Sequence, residues 1–432
     1  MSKILEKISF DDRDEFKRKD FANKVIKLLR SDIDVSPLVI DGDWGIGKTE
    51  FCRKIINLIN AKHSDSLHAI YVDAFAEDYF GNPLISLLSA LYEEKQSPEF
   101  YKSELFSNTT AAIEGIVKNV APIAFNLTLG KEKGEIVTEI IKGAIHGTQQ
   151  QLFSKLLKDR MEKTKQLEIL QETISKAMDN RQVVLFIDEL DRCRPDYALH
   201  MLETIKHIFN MENLQIVLVA NLKQLVSVIQ NVYTNNEDMA KQYLDKFIAQ
   251  RVVLPFTVNE FSYGREEIRA SQKYFEVLLT KYPDLNNGFF KQTKKLALTL
   301  IADFKFSLRD VEKVIRLARV TQALNPLNDK VLLGWHWLNT FVLFGVVRNR
   351  SWVSLVSQSP NYWSQEIISD ILVVDPQNDY DEKSIIKKFL EKQQLTKLEG
   401  ELFFAFGDTT LENRLKSFRD IVLSMLQYTK PL

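Results

Sequence analysis

Short apolar runs alternate with stretches of helical period through the first 256 residues of the chain. Positions 12–31 carry Phe16, Phe21, Val25 and Leu28 or Leu29 near one face at helical spacing. Ser36-Pro37 breaks that helix, and Leu38–Ile40 follows as a short buried strand. Lys48–Asn60 returns to helical period through Phe51, Ile55, Leu58 and Ile59. His68–Phe75 reads as a second strand, and residues 83–95 as an amphipathic helix carrying Leu84, Leu87, Leu88 and Leu91. Residues 98–180 keep a helical pattern without a strand signal. Gln182–Leu190 is an apolar run that ends in two carboxylates, and Pro195 suits the first turn of a helix running to about Phe209. Leu214–Asn221 and Gln250–Phe256 are two further buried strands.

About five β-branched runs separated by helices predict an α/β fold, a parallel sheet covered by helices on both faces. After Phe256 the strand signals stop. The expected organisation is a core over residues 1–260 with a helical insertion at about 98–180, a helical lid over 261–325, and a mostly helical C-terminal domain over 326–432. The last of these has a polar break at Asp375–Ser384.

Composition narrows the picture a little. The 432 residues, 45% hydrophobic and 27% charged, are those of a soluble globular chain too long for one core. A formal net charge of −1 argues neither for nor against nucleic acid. Two cysteines, Cys52 and Cys193, fit a reducing compartment, and the charged start "MSKILEKISFDDRDEFKRKD" lacks an apolar signal core, so a cytoplasmic location is expected. Two stretches need a membrane check. Ala111–Gly130 is interrupted by Glu114, Lys118, Asn119 and Pro122. Val331–Val347 contains His336 and Asn339, and reads as a buried core helix rather than an integral membrane segment.

The chemistry begins at "DGDWGIGKTEF". Gly42, Gly47, Lys48 and Thr49 complete G-x-x-x-x-G-K-[ST] between an apolar strand and a helix, where backbone N–H groups can wrap phosphates. Lys48 would reach the β and γ phosphates, and the Thr49 hydroxyl would hold Mg²⁺. A second strand must finish such a site, and "VVLFIDELDRC" supplies it. Asp188 falls at the strand's C-terminal end, where open α/β sheets bind ligands, and would hold Mg²⁺. Glu189 beside it could orient and deprotonate the attacking water. Asn221 ends the next strand and could sense the γ-phosphate or cap the helix that follows. No guanine-reading Asn-Lys-x-Asp motif occurs, which favours ATP. Cys193, His200 and His207 recur every seven residues, a rise of about 10.5 Å along a helix, too far apart for one metal ion. "RNRSWVSL" (Arg348–Leu355) could stack bases or cover a core edge.

These residues resemble the KAP family of P-loop NTPases. The match is strongest in "FIDELDRCRPDYALHMLETIKHIF", and extends to "GDWGIGKT" with Trp44 before Gly45, to "RKDFANKVIKLL", to "QYLDKFIAQRVVLPF" and to "FSLRDVEKVIRLA". The resemblance runs from about residue 12 to residue 325. It implies that Gly42, Trp44, Gly45, Gly47, Lys48 and Thr49 form the nucleotide loop, with Asp188 and Glu189 as the acidic pair. It makes Lys246 and Arg309 candidate stabilisers of transition-state charge, in the same chain or from a neighbour. Two departures stand out: Phe75 in place of a usual Trp, and Asn221 in place of a usual acid. No second catalytic centre is apparent, which favours hydrolysis coupled to assembly or partner control, with self-association and a protein partner expected; the resemblance further implies a role in defence against phage or plasmids. A nucleic-acid-stimulated motor, a non-hydrolysing nucleotide-dependent scaffold and a small-molecule kinase are the alternatives.

Overall fold

The computed structural model describes residues 8–64, 66–93, 171, 175, 182–233, 235–262, 264–324, 333–348 and 382–390. Ala111–Gly130, nearly all of the expected insertion, Asn349–Leu355 and most of Asp375–Ser384 lie outside them. The chain divides into two units. The first comprises Met1–Asp14, Arg18–Asp43 and Gly47–Leu254; the second comprises Glu15–Lys17, Trp44–Ile46 and Pro255–Leu432.

The first unit is built on α1 (Lys19–Leu29), β1 (Leu38–Asp41), α2 (Lys48–Lys62), β2 (Leu67–Asp73), α3 (Pro83–Glu93), β3 (Gln182–Asp188), α4 (Pro195–Ile208), β4 (Leu214–Ala220), α5 (Leu222–Tyr233), α6 (Glu237–Leu244) and β5 (Gln250–Val253). The five strands form one sheet in the order β2-β3-β4-β1-β5, with every neighbouring pair parallel. Burial on both faces explains the continuous apolar runs. Val183, Leu185 and Ile187 point into a core shared with Leu202, Ile205 and Ile229 of α4 and α5. The intervening Val184 and Phe186 are also fully buried, and α2 packs along β2, β3 and β4.

Two expectations need correction. The helix predicted from residue 12 starts at Lys19. Asp14 accepts from the backbone N–H groups of Arg18 (2.8 Å) and Lys19 (3.0 Å), and Lys17 takes φ 50°, so no helix can run through it. Phe16 therefore leaves the helical stripe. In the second unit it packs with Ala270 and Leu308, its ring edge-on to Tyr274.

The second correction is that strand structure does not stop at Phe256. An antiparallel hairpin, β6 (Thr257–Ser262) with β7 (Gly264–Arg269), opens the main part of the second unit. Its sequence, TVNEFS and GREEIR, mixes polar residues onto both faces, so the apolar alternation that marks a half-buried strand is missing. Helices α7 (Ala270–Lys281), α8 (Lys294–Asp303), α9 (Leu308–Leu324), α10 (Leu333–Arg348) and α11 (Glu382–Leu390) follow. Their core is rich in phenylalanine: Phe306 stacks on Phe344 at 5.6 Å, and Phe275 meets Phe290 edge-on at 5.0 Å. Val331–Val347 is accounted for here. Leu338, Phe341, Val342 and Phe344 of α10 are buried in this core, and Thr340 donates to Thr293 at 2.9 Å. Among the described residues no helix is long and apolar enough to cross a membrane.

Candidate functional site

Strand register brings the two motifs together. Asp41 lies level with Ala220, and Asp188 lies level with Val219, so β4 separates the strand that enters the glycine loop from the strand that ends in acids. Gly42 N–H donates to the Ala220 carbonyl at 3.3 Å, and Glu189 N–H to the Val219 carbonyl at 3.3 Å. The start of the loop and the acidic turn are thus tied to successive carbonyls of one strand, and Asn221 emerges between them.

The loop has the backbone its glycines permit. Gly47 takes φ 87° and forms the N-cap of α2, a conformation that costs a side-chain-bearing residue about 1–2 kcal/mol. Lys48 folds back over the loop, donating to the carbonyls of Gly42 (2.6 Å) and Asp43 (3.3 Å). Burial pulls its ammonium below the ordinary lysine range, while Asp191 and Asp188 act in the opposite direction. Trp44 and Gly45 belong to the second unit. There the Gly45 carbonyl accepts from Leu308 N–H at 2.9 Å, and Gly45 has φ 76°. A Cβ on Gly45 would lie 2.8 Å from the Ser307 hydroxyl. Arg309, in the first turn of α9, lies in the same unit, and Trp44 is half exposed.

Asp188 is the buried centre of the acidic turn, 1% exposed. Burial raises its carboxyl to about 6, against the nearby Thr49 hydroxyl and hydrogen bonds from Glu189 N–H (2.9 Å) and from the Tyr71 phenol (3.2 Å). Tyr71 was not legible as a site residue. It sits two positions before the end of β2, and the parallel pairing of β2 with β3 sets it near Asp188. The Arg53 guanidinium lies 3.2 Å over its ring. Glu189 faces Thr49 with one carboxylate oxygen, Thr49 Oγ1 donating at 3.5 Å, and receives Arg192 on the other at 2.9 Å. Asn221 Oδ1 caps α5, accepting from Lys223 N–H (3.1 Å) and Gln224 N–H (3.4 Å), which leaves its amide nitrogen as the group that can address a ligand.

Two more residues that local sequence does not advertise hold this arrangement. Asp41, buried at the end of β1, accepts from Leu222 N–H at 2.9 Å and from Arg251 Nε of β5 at 3.0 Å. Asp78, after β2, accepts from the backbone and side chain of Arg194 at 2.8 and 2.9 Å, which fixes the start of α4. Lys246 is not brought to this group within its own unit. It lines a cavity of about 200 Å³ with Ser36, Pro37, Lys206, Ile216 and Phe247, at the end of the sheet where β1 and β4 begin. Its ammonium lies 5.5 Å from the Tyr243 ring.

A phosphate loop after β1, a buried acid at the end of β3 and an intervening β4 on a five-stranded parallel sheet define a P-loop NTPase. The model of the KAP family P-loop domain matches residues 18–325, most of the chain, and the protein belongs to the KAP family. Among solved structures the chain is similar to AMPPCP-bound DnaA from Aquifex aeolicus, at 12% identity and a TM-score of 0.33, covering 97% of this chain and 96% of that one. It is also similar to the Aeropyrum pernix ORC2 protein in its ADPNP-ADP complexes, at 11% identity and a TM-score of 0.34, covering 95% of each chain. No curated protein matches its sequence.

Proposed function

We propose that this protein binds Mg-ATP and hydrolyses it, using the cycle as a switch for assembly or partner control. The observation that carries the reading is the convergence of Thr49, Asp188 and Glu189 beside Lys48, with the Thr49 hydroxyl close to the Asp188 carboxylate and 3.5 Å from Glu189. The donor set fits the metal. A hydroxyl and one buried carboxylate are hard oxygen ligands, and Mg²⁺ is commonly held by one or two such groups together with phosphates and water. When bound by Thr49 and Asp188, Mg²⁺ would neutralise charge on the phosphate oxygens.

The protein's own groups divide the remaining work. Backbone N–H groups of the loop after Gly42, up to Thr49 at the positive end of α2, cradle the phosphates, and Lys48 adds a cation against the β and γ groups. Asn221 offers its amide nitrogen toward the γ-phosphate. Glu189 takes a proton from water as the water oxygen bonds to the γ-phosphorus; the bond from that phosphorus to the β–γ bridging oxygen breaks, and its electron pair leaves with ADP. Since Lys246 stands at the opposite end of the strands, we assign its action to a neighbouring subunit's nucleotide. Arg309 remains a candidate for the same charge stabilisation.

Phosphate release by wild type, Lys48→Ala and Glu189→Gln tests the reading. Lys48→Ala should lose nucleotide binding, and Glu189→Gln should bind ATP but release no phosphate. Equal background rates in all three would overturn hydrolysis and favour a nucleotide-dependent scaffold. DNA-stimulated release would favour a motor, and a phosphorylated product a kinase. Native mass measurement with and without ATP tests self-association. Family membership supports the proposed role in defence against phage or plasmids, and phage plating on cells carrying wild type or Lys48→Ala tests it.

A further inference from the structure

We propose that Arg192 is a positioning residue for Glu189, aiming one carboxylate oxygen at the water-activating side of the site. The proposal rests on the hydrolytic reading above. It begins with the backbone. Glu189 adopts φ 62° and ψ 21°, the left-handed region that a residue with a side chain enters at a cost. That kink stops β3 abruptly and starts a single turn, Leu190–Arg192, in which Arg192 N–H donates to the Glu189 carbonyl at 3.0 Å. Leu190 and Asp191 are buried and anchor the turn from within. Glu189 N–H is held as well, by the Asp188 carboxylate at 2.9 Å and the Val219 carbonyl at 3.3 Å.

The main chain at Glu189 is therefore fixed, and what remains adjustable is its three-torsion side chain. Arg192 Nη1 meets Glu189 Oε2 at 2.9 Å, with both side chains partly shielded from water. The other oxygen, Oε1, points to the Thr49 hydroxyl at 3.5 Å. This division of the two oxygens decides between an aiming role and a restraining one. An arginine that held the glutamate away from the site would leave neither oxygen facing Thr49. Here the ion pair occupies the far oxygen and turns the near one toward Thr49, in the first turn of the helix that follows the phosphate loop. A general base displaced by about 1 Å can lose about 100-fold in rate, so a fixed rotamer has a measurable value.

Steady-state ATP hydrolysis should be measured for wild type, Arg192→Ala, Arg192→Lys, Glu189→Gln and the double variant Arg192→Ala/Glu189→Gln. Arg192→Ala should lower kcat by about 10- to 100-fold with KM within about twofold, because the group that loses its aim acts in the chemical step. Arg192→Lys should recover part of that loss, and added guanidinium should recover part of it in Arg192→Ala. In the Glu189→Gln background, Arg192→Ala should cost nothing further. A kcat for Arg192→Ala equal to or above that of wild type, with wild type active and Glu189→Gln inactive, overturns the aiming role and leaves hydrolysis intact. If wild type is no faster than Glu189→Gln, hydrolysis and the aiming role fall together. Should Arg192→Ala fail to fold, Arg192→Lys decides alone: reduced kcat at unchanged KM supports the proposal, and an unchanged kcat or a rise in KM alone refutes it.

Discussion

Replacing Asp188 by Asn should stabilise the metal-free protein at neutral pH while removing the Mg-dependent hydrolysis proposed above. The carboxyl is 1% exposed, and burial raises it from an ordinary 3.8 to about 6. The folded state thus binds a proton that the unfolded chain releases near pH 3.8. This contribution to stability is fully present below the unfolded value and is lost as pH rises through about 6. The gap between 3.8 and about 6 corresponds to a loss of about 3 kcal/mol at neutral pH. Asn carries no charge to desolvate and keeps one oxygen for Glu189 N–H, but gives up an acceptor toward Thr49 or Tyr71, about 1 kcal/mol. The expected net gain is about 2 kcal/mol near pH 7.5, shrinking to nothing or reversing near pH 4. Urea unfolding in EDTA, without nucleotide and followed by circular dichroism at both pH values, measures the difference. A variant less stable than wild type near pH 7.5 would refute the claim that Asp188 is held at the expense of stability. Such an expense at a proposed metal-binding position is the usual trade between stability and function.

Two other perturbations probe the supports of the site. Asp41→Ala removes the acceptor for Leu222 N–H and the partner of Arg251; it should cost about 1–3 kcal/mol in urea unfolding, and Asp41→Asn, which can still accept from Leu222, should cost less. His200 is partly buried with Nε2 unpartnered, and burial depresses its imidazole below the ordinary value of 6.5. Its contribution is therefore present above that pH and lost as pH falls below it, so the thermal midpoint of His200→Leu should decline less than that of wild type on acidification.

How much of this was readable before the fold is best seen residue by residue. The loop at Gly42–Thr49 is legible because phosphate binding by backbone N–H groups demands a local spacing, and local spacing survives in one dimension. Asp188 is legible because a strand buried on both faces must be apolar until it reaches its C-terminal end, so the first carboxylate marks that end. Phe16 and the hairpin at Thr257–Arg269 are not legible, for related reasons. One apolar residue at helical spacing is indistinguishable from a helix position, although it packs with Ala270 and Leu308. Strands with polar residues on both faces carry no periodic signal.

The phosphate loop and the acidic pair are legible in the chain alone because each depends on neighbours within a few positions, and the parallel sheet and the family are legible from apolar runs and motifs that recur in order along the chain. Strand order and register are what put β4 between the two motif strands, bring Tyr71 to Asp188 from β2, set Asp41 against β5 and the start of α5, and leave Lys246 at the opposite end of the sheet from Lys48. Those contacts join residues tens to hundreds of positions apart. Each partner is an ordinary tyrosine, aspartate, arginine or lysine in its own segment, and becomes particular only when strand order and register set it against the other.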